Sequence, residues 1–311
     1  MSFIVISILS IYGFILIGYV AKKSFKEKLD EKGLVLLDLY FLQPILSFWG
    51  LSTRPIDTAL MQAPLIYLLI SLLFLGTNYL IARIAFRDIK EQSIITVCAL
   101  IGNTANLGIP LCIALFGEAS IIYTSMMNVC NVFIMYTLGV FFYSRGNSNM
   151  KESIKNILKL PAIWFAILAL VCNLSHIHIH PALLKSLEMG AYCAMILQLL
   201  VFGMFLCSVK VQHINKRLSL VMGFIKFIFS PLIIAFIIFK LLDLEPLVAA
   251  ILFVELVVPL GVSNVNLSML YNCKPLDVTY LVFMTSIIFI PFFIIVAYWL
   301  HLFSLIAHHL S

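Results

Sequence analysis

The sequence predicts an all-α integral membrane protein: ten transmembrane helices in two inverted five-helix repeats, with the fourth and ninth helices broken. Three observations carry this prediction. The 311 residues are 63% apolar and only 11% charged, where a soluble domain is about 25% charged. Ten apolar runs long enough to span a bilayer use most of the chain. The fourth and ninth runs hold corresponding places in two sets of five, and each is interrupted at its centre by Gly, Pro, Asn and hydroxyl residues.

The spans are read at 3–21, 34–51, 59–82, 92–116, 119–143, 157–175, 187–208, 218–240, 246–270 and 277–300. A mean hydropathy of +1.10 leaves no soluble reading. The first run has no basic start and no small-residue cleavage site, and lysines follow it, so it reads as a span and not a signal peptide. The longest polar connection, "YSRGNSNMKESIKN" over 143–156, separates a first repeat (1–156) from a second (157–311). The seven cysteines show no CxxC spacing and lie mostly in apolar runs. They read as free thiols acting as small hydrophobes.

Charge gives the orientation. Sixteen of the twenty Lys and Arg fall in the loops after spans 1, 3, 5, 7 and 9, whereas Arg54, Lys185 and Lys240 lie on the other side. The positive-inside rule places the rich loops in the cytoplasm and both termini outside, in the cell (inner) membrane. An odd number of spans per half inserts the second repeat upside down, the plan of many secondary transporters.

The interruption in span 4 is "CALIGNTANLGIPLCIALF" (98–116), and that in span 9 is "ILFVELVVPLGVSNVNLSML" (251–270). A continuous helix satisfies its own backbone and needs none of these residues. Pro110 and Pro259 each remove a donor and crowd the preceding turn. Gly102, Gly108 and Gly261 permit backbone angles that other residues avoid. Half-helix ends meeting near the midplane present positive ends to anions and negative ends to cations. The residues expected to bind substrate are Asn103, Thr104, Asn106, Gly108, Pro110, Pro259, Gly261, Ser263, Asn264 and Asn266. The simpler reading is a pair of kinks.

Other polar residues within spans carry two readings each. Glu255 lies one turn before Pro259; it either holds a proton or sodium ion, or is a neutral acid hydrogen-bonded for packing. Asn128 and Asn131, three apart, share a helix face. They either coordinate the same coupling ion through their oxygens or act as interhelical glue. Lys226, about 13 Å into span 8, either neutralises an anionic substrate or Glu255, or snorkels to the cytoplasmic interface. Asp38, near the lysine-rich loop, reads as one half of a local ion pair. The "HIHIH" stretch, with His176, His178 and His180, alternates as an extended loop does and lacks metal-ligand spacing. His301, His308 and His309 fall on the same outer side.

"GNTANLGIPL" (102–111) resembles the span 4 motif of the auxin efflux carrier family, N-x-G-x-x-G-x-P in its bacterial members. Asn103, Gly108 and Pro110 match, while Ala105 stands where glycine is frequent. "IYGFILIGYVAKKSF" and "LDLYFLQPILSFWGL" are similar to the family's first two helices, "FIFSPLI" (227–233) to its eighth and "VVPLGVSNVNL" (257–267) to its ninth. Span 7, "AMILQLLVFGMFL", departs by lacking a proline and carrying Gln198. The resemblance implies crossed helices 4 and 9, a scaffold bundle from helices 1, 2, 6 and 7, and a transport bundle from the rest. It also implies an architecture similar to that of bile acid sodium symporters.

The function expected is a secondary active transporter of a small organic anion, malate- or malonate-like or auxin-like as the resemblance implies, working by alternating access. No GxxxxGK[ST] occurs, so ATP is not its direct fuel. No cofactor is expected beyond coupling to H+ or Na+. The partners expected are the organic anion and the lipid bilayer, with a homodimer left open and no nucleic acid. The alternative is an integral membrane enzyme or sensor with its ligand site at the same interruption.

Overall fold

A computed structural model of the protein describes residues 2–52, 58–145, 161–208 and 215–310. The described residues are helical throughout, with one isolated β-bridge. Helix α1 runs Ser2–Phe25, α2 over 31–52 and α3 Thr58–Ala85. Span 4 is two helices, α4 (Ile89–Cys98) and α5 (Thr104–Phe116), followed by α6 (Glu118–Tyr143). Then come α7 (Pro161–Leu174), α8 (Pro181–Ser208) and α9 (Lys216–Leu241). Span 9 is likewise two helices, α10 (Pro246–Val257) and α11 (Ser263–Leu270), before α12 (Pro275–Leu310).

Six of these helices are long and apolar enough to cross a membrane: stretches of α2, α3, α6, α8, α9 and α12. Helices α5, α7 and α10 are apolar but shorter. For α5 and α10 the shortness follows from the interruptions, which divide one expected span into two pieces. Arg54, Lys151, Lys155, Lys159 and Lys210 lie outside the described residues, as do the side chains of His301, His308 and His309.

Two helix pairs pack against each other through α2 and α8. α1 packs along α8, and the second half of α2 packs along α7, where Phe48 meets Phe165 edge-on and Asn173 donates to the Leu51 carbonyl at 2.8 Å. α3 packs on α4 and α6, and α9 on α10 and α12. α8 starts with Pro181 in its first turn, where the missing N–H costs nothing. His180 Nδ1 accepts from the Ala182 N–H at 3.2 Å, so this histidine caps the helix.

A polar cluster ties helix ends of the two halves together. Asp88 caps α4 by accepting from the Lys90 N–H at 2.9 Å. Lys274, just before α12, reaches both Asp88 and Glu91 at 2.6 Å. Asn215, the cap of α9, donates to Glu91 at 2.8 Å. The ion pair holds the Asp88 carboxyl below its ordinary range, with the Lys274 hydrogen bond as the main cause.

Candidate functional site

The centre of the molecule is built from backbone first. α4 stops at Cys98 and α10 at Val257, and the non-helical stretches 99–103 and 258–262 run antiparallel across each other. Gly102 pairs with Leu260 in the single β-bridge. It is closed by the Asn103 N–H donating to Pro259 C=O at 2.9 Å and the Gly261 N–H donating to Ile101 C=O at 2.8 Å. Each break therefore satisfies groups that the other has freed, which is what an apolar surrounding demands. Val258 is extended (φ −48°, ψ 150°), the conformation that a following proline favours. Gly261 is required by the close approach: a Cβ there would stand 2.7 Å from the Gly102 carbonyl oxygen.

Pro110 does not make the break in span 4. It sits in the first turn of Ile109–Phe116, after a π-helical turn over Thr104–Gly108. That wide turn bonds the Gly108 N–H back to Asn103 C=O at 3.0 Å and accommodates the proline. The break lies earlier, at Ala99–Asn103, where Gly102 meets the opposite strand.

Side chains complete the crossing. Asn131 of α6 donates to Gly102 C=O and to Thr104 Oγ1, both at 3.0 Å, and accepts from the Gly102 N–H at 3.2 Å. Thr104 in turn donates to Asn128 Oδ1 at 2.9 Å. Asn264 of α11, fully buried, donates to Ile101 C=O at 2.9 Å and Gly261 C=O at 3.0 Å, and accepts from the Tyr143 hydroxyl at 3.0 Å. Among the buried donors without a partner in the described residues are Asn103 Nδ2, which follows the Gly102 break, and Ser125 Oγ on α6.

Glu255 of α10 is 1% exposed and lies against α5. Gly108 makes room for it, since a Cβ at that position would stand 2.7 Å from the carboxyl carbon. The Cys112 thiol is 4.0 Å from Oε1, and Oε2 has no donor. Lys226 of α9 is 3% exposed and donates to Leu256 C=O at 3.3 Å. Both line an internal cavity of ≈ 20 Å³ with Asn78, Ser71 and Ser230. That is room for about one water molecule.

Residues 3–297 match the profile of a family described as membrane transport protein. The chain belongs to this family. It is the auxin efflux carrier family that the 102–111 stretch resembles. An uncharacterized transporter of Methanocaldococcus jannaschii is 24% identical over 269 residues, 83% of this chain and 86% of the relative. The protein is therefore a multi-pass membrane transporter and not an enzyme.

Of the expected site residues, Asn103, Thr104, Gly108, Pro259, Gly261, Asn264, Asn128, Asn131 and Glu255 are buried at or beside the crossing. Asn266 is exposed, and Asn106, Pro110 and Ser263 are half-buried. Asn264 and Asn266 are two apart on α11, so about 200° separates them around the helix and only one faces inward. Lys226 does not snorkel, and it makes no ion pair with Glu255 within 4.0 Å. The ion pair expected of Asp38 is replaced by a hydrogen bond from Gln198 at 3.2 Å, linking α2 to α8. The pair near that loop is Lys22 with Glu31, at 2.5 Å. Tyr143 and Asn78 belong to this polar centre and were not singled out from the sequence. Asn78 is a lone amide in an apolar run, which was the available signal.

Proposed function

We propose that the protein is a secondary active transporter of a small organic anion, with the anion held at the crossing of the two breaks. The observation that carries this reading is the crossing itself. Its backbone groups are satisfied by the bridge, Asn131 and Asn264, while Asn103 Nδ2 and Ser125 Oγ stay buried and unpartnered. The Asn103 amide, an unpartnered donor at the N-terminal end of α5, suits a carboxylate. The malate-, malonate- or auxin-like substrate class comes from the family resemblance. Glu255, with the unwound carbonyls near it, is the site for a coupling proton or sodium ion.

Ten helices in two inverted repeats account for the packing. Exchanging the repeats turns the α1–α8 contact into the α7–α2 contact, and the α3–α6 contact into the α9–α12 contact, all of which occur. The bridge between Gly102 and Leu260 maps onto itself. In this arrangement α1, α2, α7 and α8 form the scaffold and the remaining helices the moving bundle. The lysine-rich loops face the cytoplasm and both termini face outward.

Uptake and counterflow of labelled small carboxylates in proteoliposomes test the function. Accumulation of at least one carboxylate is expected; absence of uptake and exchange across a broad panel overturns the anion reading. Orientation is tested by Ser148→Cys and Ile56→Cys, at positions outside the described residues. The two are expected to label from opposite faces, residue 148 from the cytoplasm.

A further inference from the structure

We propose that Lys226 is a tethered counter-cation of the Glu255 site, resting on the Leu256 carbonyl while a diffusible cation occupies Glu255 and moving to the carboxylate when that cation leaves. The proposal rests on the transporter reading above and adds a competitor to its ion site.

The geometry begins at the break in span 9. α10 ends at Val257, so the Leu256 carbonyl has lost the N–H that a continuing helix would have supplied from Leu260. It lies at the negative end of the helix. The Lys226 ammonium fills that place, at 3.3 Å. An ammonium has three donors on a flexible stem, and this is the one bond it makes to a described residue.

The second place lies across the same small cavity. Glu255 Oε2 is buried without a donor, and both ends of the Asn78 amide are unpartnered there. A cation and an anion buried in a membrane interior each require a partner. Neither has a charged one within 4.0 Å, and they face one cavity. The cavity, ≈ 20 Å³, admits one small occupant beside the carboxylate. Occupancy by a diffusible cation and by the Lys226 ammonium is therefore mutually exclusive. The other titratable groups near this pair are Tyr67 from α3 and Cys112 from α5, beside Glu255, and Cys98 from α4, beside Lys226. The exchange would let the empty carrier reorient with its carboxylate neutralised and no bound ion.

The test uses the full-length protein in nanodiscs, with thermal stability followed across sodium chloride concentration and pH. In Lys226→Met the sodium or proton concentration at half-stabilisation should fall about tenfold, within the usual range for coupled sites. Glu255→Gln should abolish the response in either background. Unchanged midpoints in Lys226→Met, with the Glu255-dependent response intact, overturn the proposal. Lys226→Gln serves if the methionine variant does not fold. A second reading needs no ion response: the double variant Lys226→Met/Glu255→Gln should be more stable than Lys226→Met alone. Strictly additive losses overturn the proposal as well. Counterflow of labelled carboxylate reads the transporter assignment separately.

Discussion

The side-chain amide of Asn131 pairs with both backbone groups of Gly102, donating to its carbonyl at 3.0 Å and accepting from its N–H at 3.2 Å. The amide thus stands in for a neighbouring strand on the side of Gly102 that faces away from Leu260. This residue of α6 completes the closure of the break in span 4 that the bridge and Asn264 begin.

The consequence for stability is direct. Asn131→Ala leaves the buried Gly102 C=O without its donor, at a cost of about 1–3 kcal/mol, and leaves the Gly102 N–H only its bond to the Leu100 C=O at 3.1 Å. The melting temperature in detergent should fall by several degrees, and transport should be lost. Asn131→Asp keeps an acceptor but loses the donor and buries a carboxylate with no cation, so it should fall at least as far. A wild-type melting temperature in Asn131→Ala would show that Gly102 finds other partners.

Asn103 and Asn264 separate folding from binding. Asn264 holds the carbonyls of Ile101 and Gly261, so Asn264→Ala should lower both stability and transport. Asn103 Nδ2 has no partner to lose. Asn103→Ala should leave the melting temperature unchanged or raised while transport falls strongly. Thermal shift and proteoliposome uptake on the same preparations check the contrast. Normal uptake in both variants would reduce the breaks to kinks.

The breaks and the shared face of Asn128 and Asn131 were legible because both are local patterns. Proline, glycine and amides inside an apolar run mark a place where a helix cannot satisfy itself, and a spacing of three fixes a face. The bridge between Gly102 and Leu260 was not legible, because it joins backbone atoms from opposite halves of the chain and no side-chain pattern encodes it. Composition also placed Asn266 and Asn264 in one site, although helix geometry turns them apart. The same limit hid the destination of Lys226. Depth in a span is readable from sequence, whereas the freed carbonyl of Leu256 exists only once α10 has ended.

Outside the membrane, the Lys274 contacts predict a pH dependence. The hydrogen bond from Lys274 holds the Asp88 carboxyl below its ordinary value. A carboxyl depressed in the folded state contributes stability above its unfolded value, about 3.9, and loses it as pH falls through the folded value. Stability should therefore drop below about pH 4 in the wild type. In Lys274→Met the part of that drop due to Asp88 should shrink, with the bond from the Lys90 N–H remaining. The effect is small, because Asp88 is 43% exposed and solvent screens the pair. Melting curves of both proteins between neutral and acid pH measure the difference.

Glu255 should be the centre of coupling. It is a fully buried acid one turn before Pro259, packed on Gly108 of α5, with one oxygen unpartnered. A carboxylate placed there needs a cation or a proton, and the unwound carbonyls of the break can share in holding either. Glu255→Gln keeps the shape and removes the charge. Exchange of labelled for unlabelled substrate should persist, because it needs no net movement of the ion. Accumulation against a gradient should vanish, and with it the dependence of uptake on sodium or pH. Uptake and counterflow in the same vesicles read the two properties side by side. If Glu255→Gln accumulates substrate as the wild type does, the carboxyl is a packing group. The coupling site would then lie with Asn128 and Asn131, whose oxygens already converge on Thr104 and Gly102.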